Sequence, residues 1–520
     1  MRWILALCLC GALGAQTFAV PDFSVETVAT PGYGTIALDF DHAGRMYVTE
    51  KRGRILQLTP NGSGGFNAPT VFADLISFVE DTFECGLLGL ALDPDYATNR
   101  YIYLCYTTPT DQRVMRIQAN ATFDAWTTTQ TSILTGLPRA AGNHNAGDIG
   151  FRPGEPNNLY VMLGDDANIG QADNLDQYHG KLLRINKSNG EGLTTNPFYT
   201  SSTATVRSRI WAYGFRNPFR FAFHPTLSNA LYTSENGGPG GVSLQDRLTF
   251  NRAGCNGGWN TSSSTGGSSG EFYNPVNPAG QECIVMHRDQ SSHIGVAVAN
   301  GGVFGDPANP GASVIYISNW LRPNSSGSIS RFRLTGTNLD TATPIAADGG
   351  ARWVTGVYGI SLKFGPDGHL YFTQATNGTS AGTGYIIGRI RYTGTVTLNA
   401  AFHATPSSGT APLNVQFTDT STGAASWSWD FGDGGTSTQQ NPQHVFAAGN
   451  WMVTLTVTDG GTGQDTAQTT INVATGTGGG GGGSGGSKEK GSGGGCSLVS
   501  AGALPLLLLA FAATNWRRRK

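Results

Sequence analysis

One phrase recurs six times between residues 38 and 372, and it constrains the fold more than any other feature of the chain. It is a short apolar strand, a turn built from Asp, Pro, Gly or Asn, and a second strand centred on an aromatic residue. The copies run from Leu38-Asp39-Phe40 to Met46-Tyr47-Val48, from Leu90-Ala91-Leu92-Asp93-Pro94 to Tyr101-Ile102-Tyr103, and from Ile149-Gly150-Phe151 to Leu159-Tyr160-Val161. They continue from Phe221-Ala222-Phe223-His224-Pro225 to Leu231-Tyr232-Thr233, from Gly302-Val303-Phe304 to Val314-Ile315-Tyr316-Ile317, and from Phe364-Gly365-Pro366-Asp367-Gly368 to Leu370-Tyr371-Phe372. A third strand of the type Gly-x-Ile/Leu follows several of them, beginning at Gly53, Gly180, Gly327 and Gly388. A β unit of this size cannot bury its apolar face alone, so such repeats close radially as propeller blades. The sequence therefore predicts an all-β chain with a six-bladed propeller over residues 22–395.

Composition agrees with many short strands joined by turns: charged residues make up 13% and glycine reaches 74. The net charge of -2 supplies no basic face to neutralise phosphates, which excludes a nucleic-acid partner. Met1-Arg2, the apolar run Trp3 to Leu13 and the small residues up to Ala19 form a secretory signal over residues 1–19. The cysteines that remain lie in an oxidising compartment and match no zinc spacing. Cys255 and Cys283 sit in one Gly-rich insertion and are expected to be disulfide-bonded; Cys85 and Cys105 flank one hairpin and form a second candidate pair.

From 397 to 474 the texture changes to compact alternating strands around Trp427-Ser428-Trp429-Asp430-Phe431-Gly432-Asp433-Gly434. That run, with Asn441-Pro442 and His444-Val445-Phe446, resembles the signature of PKD domains, which are immunoglobulin-like β-sandwiches. Residues 475–495 are a Gly-rich linker. Residues 496–520 join Cys496, an apolar run and Arg517-Arg518-Arg519-Lys520, in the order of a membrane segment or of a cleaved bacterial sorting tail. Either holds the body of the protein outside the membrane, in the periplasm or at the cell surface.

Within the propeller, Glu84-Cys85-Gly86-Leu87-Leu88-Gly89-Leu90, Asp93-Pro94-Asp95-Tyr96, Asn143-His144, Gly164-Asp165, Gly180-Lys181-Leu182-Leu183-Arg184-Ile185 and Tyr213-Gly214-Phe215-Arg216-Asn217-Pro218 resemble segments of the glucose/sorbosone dehydrogenases. The resemblance implies oxidation of an aldose or related sugar with pyrroloquinoline quinone (PQQ) and calcium. It places His144 as general base, a role suited to imidazole, and Arg216 and Asn217 as catalytic and cofactor-binding residues. Glu84, Asn143 and Asp166 fall at further cofactor positions. Calcium is expected at Gly237, Gly238 and Asp246, where a turn and a carboxylate offer the oxygen ligands a hard cation needs; Gln245 stands where an acid is usual.

One segment departs from the family pattern. An Arg-x-Arg pair that meets the PQQ carboxylates is replaced by Gly356-Val357-Tyr358-Gly359-Ile360-Ser361, and a family lysine is absent from Asn324-Ser325-Ser326-Gly327-Ser328. Carboxylates sequestered without partners are costly, so the alternative expectation is a non-catalytic, calcium-stabilised propeller that binds carbohydrate or protein. Gly378-Thr379-Ser380-Ala381-Gly382 fits a hydrolase elbow by letter but has no strand-to-helix context.

Overall fold

A computed structural model describes residues 16–475 apart from 228, 238–245, 261–270, 273–281, 290–292, 310, 320–326, 349–351, 375–384, 395–397, 425 and 459–462. Most of the expected signal, the Gly-rich linker, the C-terminal tail, Gly238, Gln245 and the Gly378–Gly382 elbow lie outside the described residues. No helix among the described residues is long and apolar enough to cross a membrane.

Six antiparallel sheets form the blades. Their innermost strands are Thr35–Phe40, Leu87–Leu92, Ala146–Phe151, Asn217–Phe223, His293–Asn300 and Gly359–Phe364, for blades 1 to 6 in that order. Each packs on the next, and the sixth returns to the first, so the ring is closed. The N-terminal strand Phe23–Ala29 completes blade 6 as its outermost strand, pairing with Ile386–Tyr392. Closure thus joins the two ends of the propeller sequence.

The second strands explain why the phrase recurs. Tyr47, Tyr103, Tyr160, Tyr232, Tyr316 and Tyr371 occupy equivalent positions, and each is 0–1% exposed. Burying one such ring contributes about 2–3 kcal/mol, and five of the hydroxyls find partners, as in the 2.9 Å bond from Tyr96 to Tyr47.

Two sequence expectations need correction. The innermost strand of blade 5 is His293–Asn300, whereas Gly302–Phe304 is a short 3-10 turn after it. Alternating small residues in Ile294-Gly295-Val296-Ala297-Val298 pack against the neighbouring blades without the bulky signal of the other copies. Cys255 and Cys283 are disulfide-bonded, but Cys85 and Cys105 are free and buried. Cys105 lies opposite Gly89 in the ladder, while Cys85 precedes that strand and faces Gly142 and Asn145 instead.

Thr17–Phe18, inside the stretch expected to be removed as signal, pairs with Val354–Thr355 on blade 5. Phe18 packs edge-on against the buried Trp353. After the propeller, one sheet joins Phe402–Thr405, Leu413–Asp419 and Gln443–Phe446. A second joins Ser408–Thr410, Gln464–Ala474, Gly449–Thr458, Ser426–Asp430 and Thr436–Ser437. Phe417, Trp429, Phe431, Phe446, Leu455 and Ile471 fill the space between them.

The propeller axis is filled partway along. Ile36, Leu88, Phe219, Ile294 and Ile360 pack together there. Below them Arg220 of blade 4 reaches across to the Ile36 carbonyl of blade 1 at 2.9 Å. Its guanidinium also meets Asp148 at 3.3 Å.

Candidate active site

The residues singled out in sequence gather at the N-terminal ends of the innermost strands of blades 2, 3 and 4. Glu84 precedes the blade 2 strand, His144 the blade 3 strand, and Arg216-Asn217 opens the blade 4 strand. One carboxylate ties them together: Glu84 Oε2 accepts from the His144 backbone N at 2.6 Å and from Asn217 Nδ2 at 3.1 Å.

His144 Nδ1 lies 2.7 Å from Asp165 Oδ1, and its side chain is 13% exposed against 0% for Asp165. Because a carboxylate only accepts, Nδ1 carries the proton and Nε2 is left to take one. Asp165 is itself fixed by Trp259 Nε1 at 2.6 Å on Oδ2 and by the Ala167 backbone N at 3.0 Å on Oδ1. Gly164 makes this approach feasible, since a Cβ there would stand 1.8 Å from the His144 carbonyl oxygen. The register also breaks between the pairs Ala146–Leu163 and Ile149–Val161, a bulge that turns the His144 end of the strand.

Asp166 accepts from the backbone N atoms of Ala140 at 2.7 Å and Ala141 at 2.9 Å, one on each oxygen. It holds the loop that carries Asn143 and His144. Asn143 Oδ1 and Asn217 Oδ1 are buried without a hydrogen-bond partner, an arrangement that needs a donor from a bound molecule or water. Strain concentrates in the same place: Phe83, His144, Ala146, Asp166 and Ala167 all have φ between +49 and +54. Left-handed non-glycine residues are costly and gather where the surrounding structure over-determines them, above all at functional sites.

On the blade 4 side, the Arg216 backbone N donates to Glu235 Oε1 at 2.6 Å, and its Nη1 to the Asn236 carbonyl at 3.1 Å. The guanidinium stands 5.5 Å from the Trp259 ring centre. Burial pulls its pKa below the ordinary range, with Asp165, Glu235 and Glu84 acting in the opposite sense. Glu235 is also paired with the buried Arg247. Asp246 Oδ1 accepts from the Gly237 N at 2.9 Å, which brings two of the expected calcium residues together; no group of three or more His, Cys, Asp or Glu side chains is arranged to hold a metal among the described residues.

Sequence reasoning assigned no role to Asp165 or Arg247, and it placed Glu235 and Trp259 only in the layout expected around calcium, not beside the base. Gly164-Asp165 was legible as a motif, and the glycine before an acid was the available signal for a carboxylate in close backbone approach. Trp259 lies 94 residues from the acid it holds, and nothing local announces that bond.

The segment in which the resemblance expects arginines is different. Val357, in the segment where family arginines are expected, is 0% exposed and packs with Trp353, Val354 and Leu362, so an arginine there would enter the blade core. Tyr358 is half-buried, and its backbone N donates to Gln374 Oε1 at 3.2 Å. A cavity of about 520 Å³ lies at the opposite end of the axis, lined by Asp39, Asp93, Phe151, Phe223 and Lys363, with Arg220 and Asp148 at its inner end. Its charged groups are already paired, as Lys363 with Asp39 at 2.7 Å and Lys187 with Asp93 at 2.8 Å.

Residues 34–282 match the Glucose / Sorbosone dehydrogenase family, and residues 397–474 match the PKD domain. The aldose sugar dehydrogenase of Escherichia coli is 31% identical over 263 residues, which cover 49% of this chain and 65% of that protein. The crystal structure of the soluble aldose sugar dehydrogenase of Escherichia coli in the apo-form has a TM-score of 0.55 at 24% identity, covering 71% of this chain and 99% of that one. The PQQ-bound aldose sugar dehydrogenase of Streptomyces coelicolor gives 0.52 at 23%, covering 71% and 98%. At these identities the two structures establish the six-bladed fold. The propeller thus matches the glucose/sorbosone dehydrogenase family over residues 34–282, and a PKD domain follows it.

Proposed function

We propose that the propeller oxidises an aldose or related sugar with PQQ as the resident cofactor and calcium beside it. The observation that carries this reading is the hydrogen-bonded set of His144, Asp165, Glu84 and Asn217, in which one imidazole nitrogen is oriented by a buried carboxylate and the other is left to act. PQQ supplies the two-electron acceptor. Around it, Arg216 and the amide NH2 groups of Asn217 and Asn143 would offer donors to the oxygen-rich rim of a planar group, with Glu84 holding Asn217 in place, and the orphaned amide oxygens would accept from a sugar hydroxyl or water. Gly237 and Asp246, with Gly238, are the calcium candidates.

In this reading His144 Nε2 accepts the proton of the sugar hydroxyl that is oxidised. Asp165 keeps the tautomer that leaves Nε2 unprotonated and faces the imidazolium that forms, so charge is met where it develops. Glu84 sets where the His144 backbone and the Asn217 amide stand relative to each other. The one cation in 354–364, Lys363, is paired with Asp39 at the far end of the axis, so this segment would offer the carboxylates of the cofactor no partner and its affinity is expected to be weak.

We further propose that the chain is exported by residues 1–19, that its propeller spans 22–395 and its PKD domain 397–474, and that residues 475–520 tether it at the envelope. Because Thr17–Phe18 forms a strand of blade 5, cleavage within that leader is expected before Thr17. The test of function is to supply PQQ and calcium to the purified full chain and follow aldose-dependent reduction of an artificial acceptor. His144→Ala should lower turnover by about 10²- to 10⁴-fold, and an unchanged rate would remove His144 from the chemistry.

A further inference from the structure

Phe83 is the most exposed of the large apolar side chains among the described residues, at 85%. It is nevertheless held firmly. Its backbone adopts φ +50, a conformation unfavourable for a residue with a Cβ. Lys51 Nζ donates to the Asp81 carbonyl at 2.6 Å and to the Phe83 carbonyl at 2.7 Å, while the Glu84 backbone N donates to the Gly142 carbonyl at 3.1 Å.

These bonds hold the Phe83 backbone, and the ring lies against the loop that carries the base. A Cβ built on Gly142 would lie 3.6 Å from Phe83 Cδ2, so the ring stands against a residue two positions before His144. On its other side is Glu84, which bonds both the His144 backbone and Asn217. The same loop carries Asp81, which accepts from the Tyr33 hydroxyl at 2.7 Å, and the Tyr33 and Tyr385 rings follow at 6.2 Å from centre to centre. The rim of the site is therefore aromatic on the blade 1 and 2 side.

A pyranose presents a face of C–H bonds polarised by its ring and hydroxyl oxygens, and the negative face of an aromatic ring is its complement, leaving the hydroxyls at the edge free for hydrogen bonds. With the backbone beneath it already held, such a ring gives up only its side-chain rotamer freedom on binding. We infer that Phe83 is the platform on which the C–H face of an aldopyranose rests, a specificity-determining residue that presents the sugar edge to His144. The inference rests on the sugar-oxidation reading for its substrate, but sugar binding can be measured apart from oxidation.

The experiment titrates methyl β-D-glucopyranoside and D-glucose into the full chain by saturation-transfer NMR, for wild type, Phe83→Ala, Phe83→Tyr and Phe78→Ala. Phe83→Ala should weaken binding about 2- to 13-fold, the range of one aromatic contact, with its melting temperature unchanged because the ring is in solvent. Phe83→Tyr should bind as wild type, and so should Phe78→Ala, whose ring is 48% exposed on the preceding 3-10 turn. In turnover the Phe83→Ala loss should fall on KM rather than kcat. Wild-type affinity in Phe83→Ala, or no sugar binding by the wild type, overturns the platform. Phe83-dependent binding without oxidation under any acceptor keeps the platform and removes the dehydrogenase reading.

Discussion

Replacing Asp165 by Asn tests the orientation of the base with little change in volume. Three donors converge on this buried carboxylate: His144 Nδ1 and the Ala167 N on Oδ1, and Trp259 Nε1 on Oδ2. An amide has one acceptor oxygen and one donor NH2, so it cannot serve both sides. With its oxygen toward His144, the NH2 faces the Trp259 N–H and a buried donor is left unsatisfied, which costs about 1–3 kcal/mol. With its oxygen toward Trp259, the NH2 faces His144, and Nδ1 must become an acceptor with the proton moved to Nε2. That tautomer has no lone pair for the sugar proton. Turnover should fall by about 10²- to 10⁴-fold. ¹⁵N NMR of the His144 ring reads the tautomer whether or not a cofactor is bound: wild type should show Nδ1–H, and Asp165→Asn should show either Nε2–H or a lowered melting temperature. A variant with the wild-type tautomer, stability and turnover would refute the assignment of Asp165 as the positioning residue.

His224 accepts at Nδ1 from the Leu227 N at 3.1 Å and pairs with Ser313 at 2.7 Å through Nε2, so burial holds its pKa down at about 4. The unfolded chain takes up this proton near pH 6.5 and the native chain refuses it until about 4, so stability falls as pH drops through that window, by about 2–3 kcal/mol; His224→Gln should flatten this part of a melting-temperature profile against pH. Tyr358→Arg, on the half-buried position that can face the site, should tighten PQQ about tenfold by adding one charge-assisted pair, whereas Val357→Arg should lower the melting temperature, both read by titration and thermal melts. Removing the disulfide with Cys255→Ala and Cys283→Ala opens a loop of sequence separation 28 and should destabilise the propeller by about 3 kcal/mol in denaturant unfolding.

The propeller was legible because a single strand-turn-strand phrase places a tyrosine at one buried position in every blade. It blurred only where blade 5 uses small residues on its innermost strand, Ile294 to Val298, since packing against close neighbours carries no period of bulky side chains. The site was legible where its residues are contiguous, as in Asn143-His144 and Arg216-Asn217. It was not where partners meet across blades: Asp165 with Trp259, Glu84 with Asn217, and Arg220 with the Ile36 carbonyl are produced by closure of the ring. The expected Cys85–Cys105 pair was read from nearness in sequence, but the residue facing Cys105 across the ladder is Gly89. Val357 and Tyr358 show the same gap, because the sequence marks the segment and only the strand register tells which side chain enters the core.

The most direct test of the central claim is a spectroscopic titration of the full chain with PQQ and calcium, followed by addition of an aldose to the loaded protein. The account predicts binding that is weak but saturable, bleaching of the oxidised cofactor on sugar addition, and loss of that bleaching, with binding retained, in His144→Ala. No PQQ binding by a folded wild-type protein at any practical concentration would contradict it and leave a propeller that binds carbohydrate or protein without oxidising it.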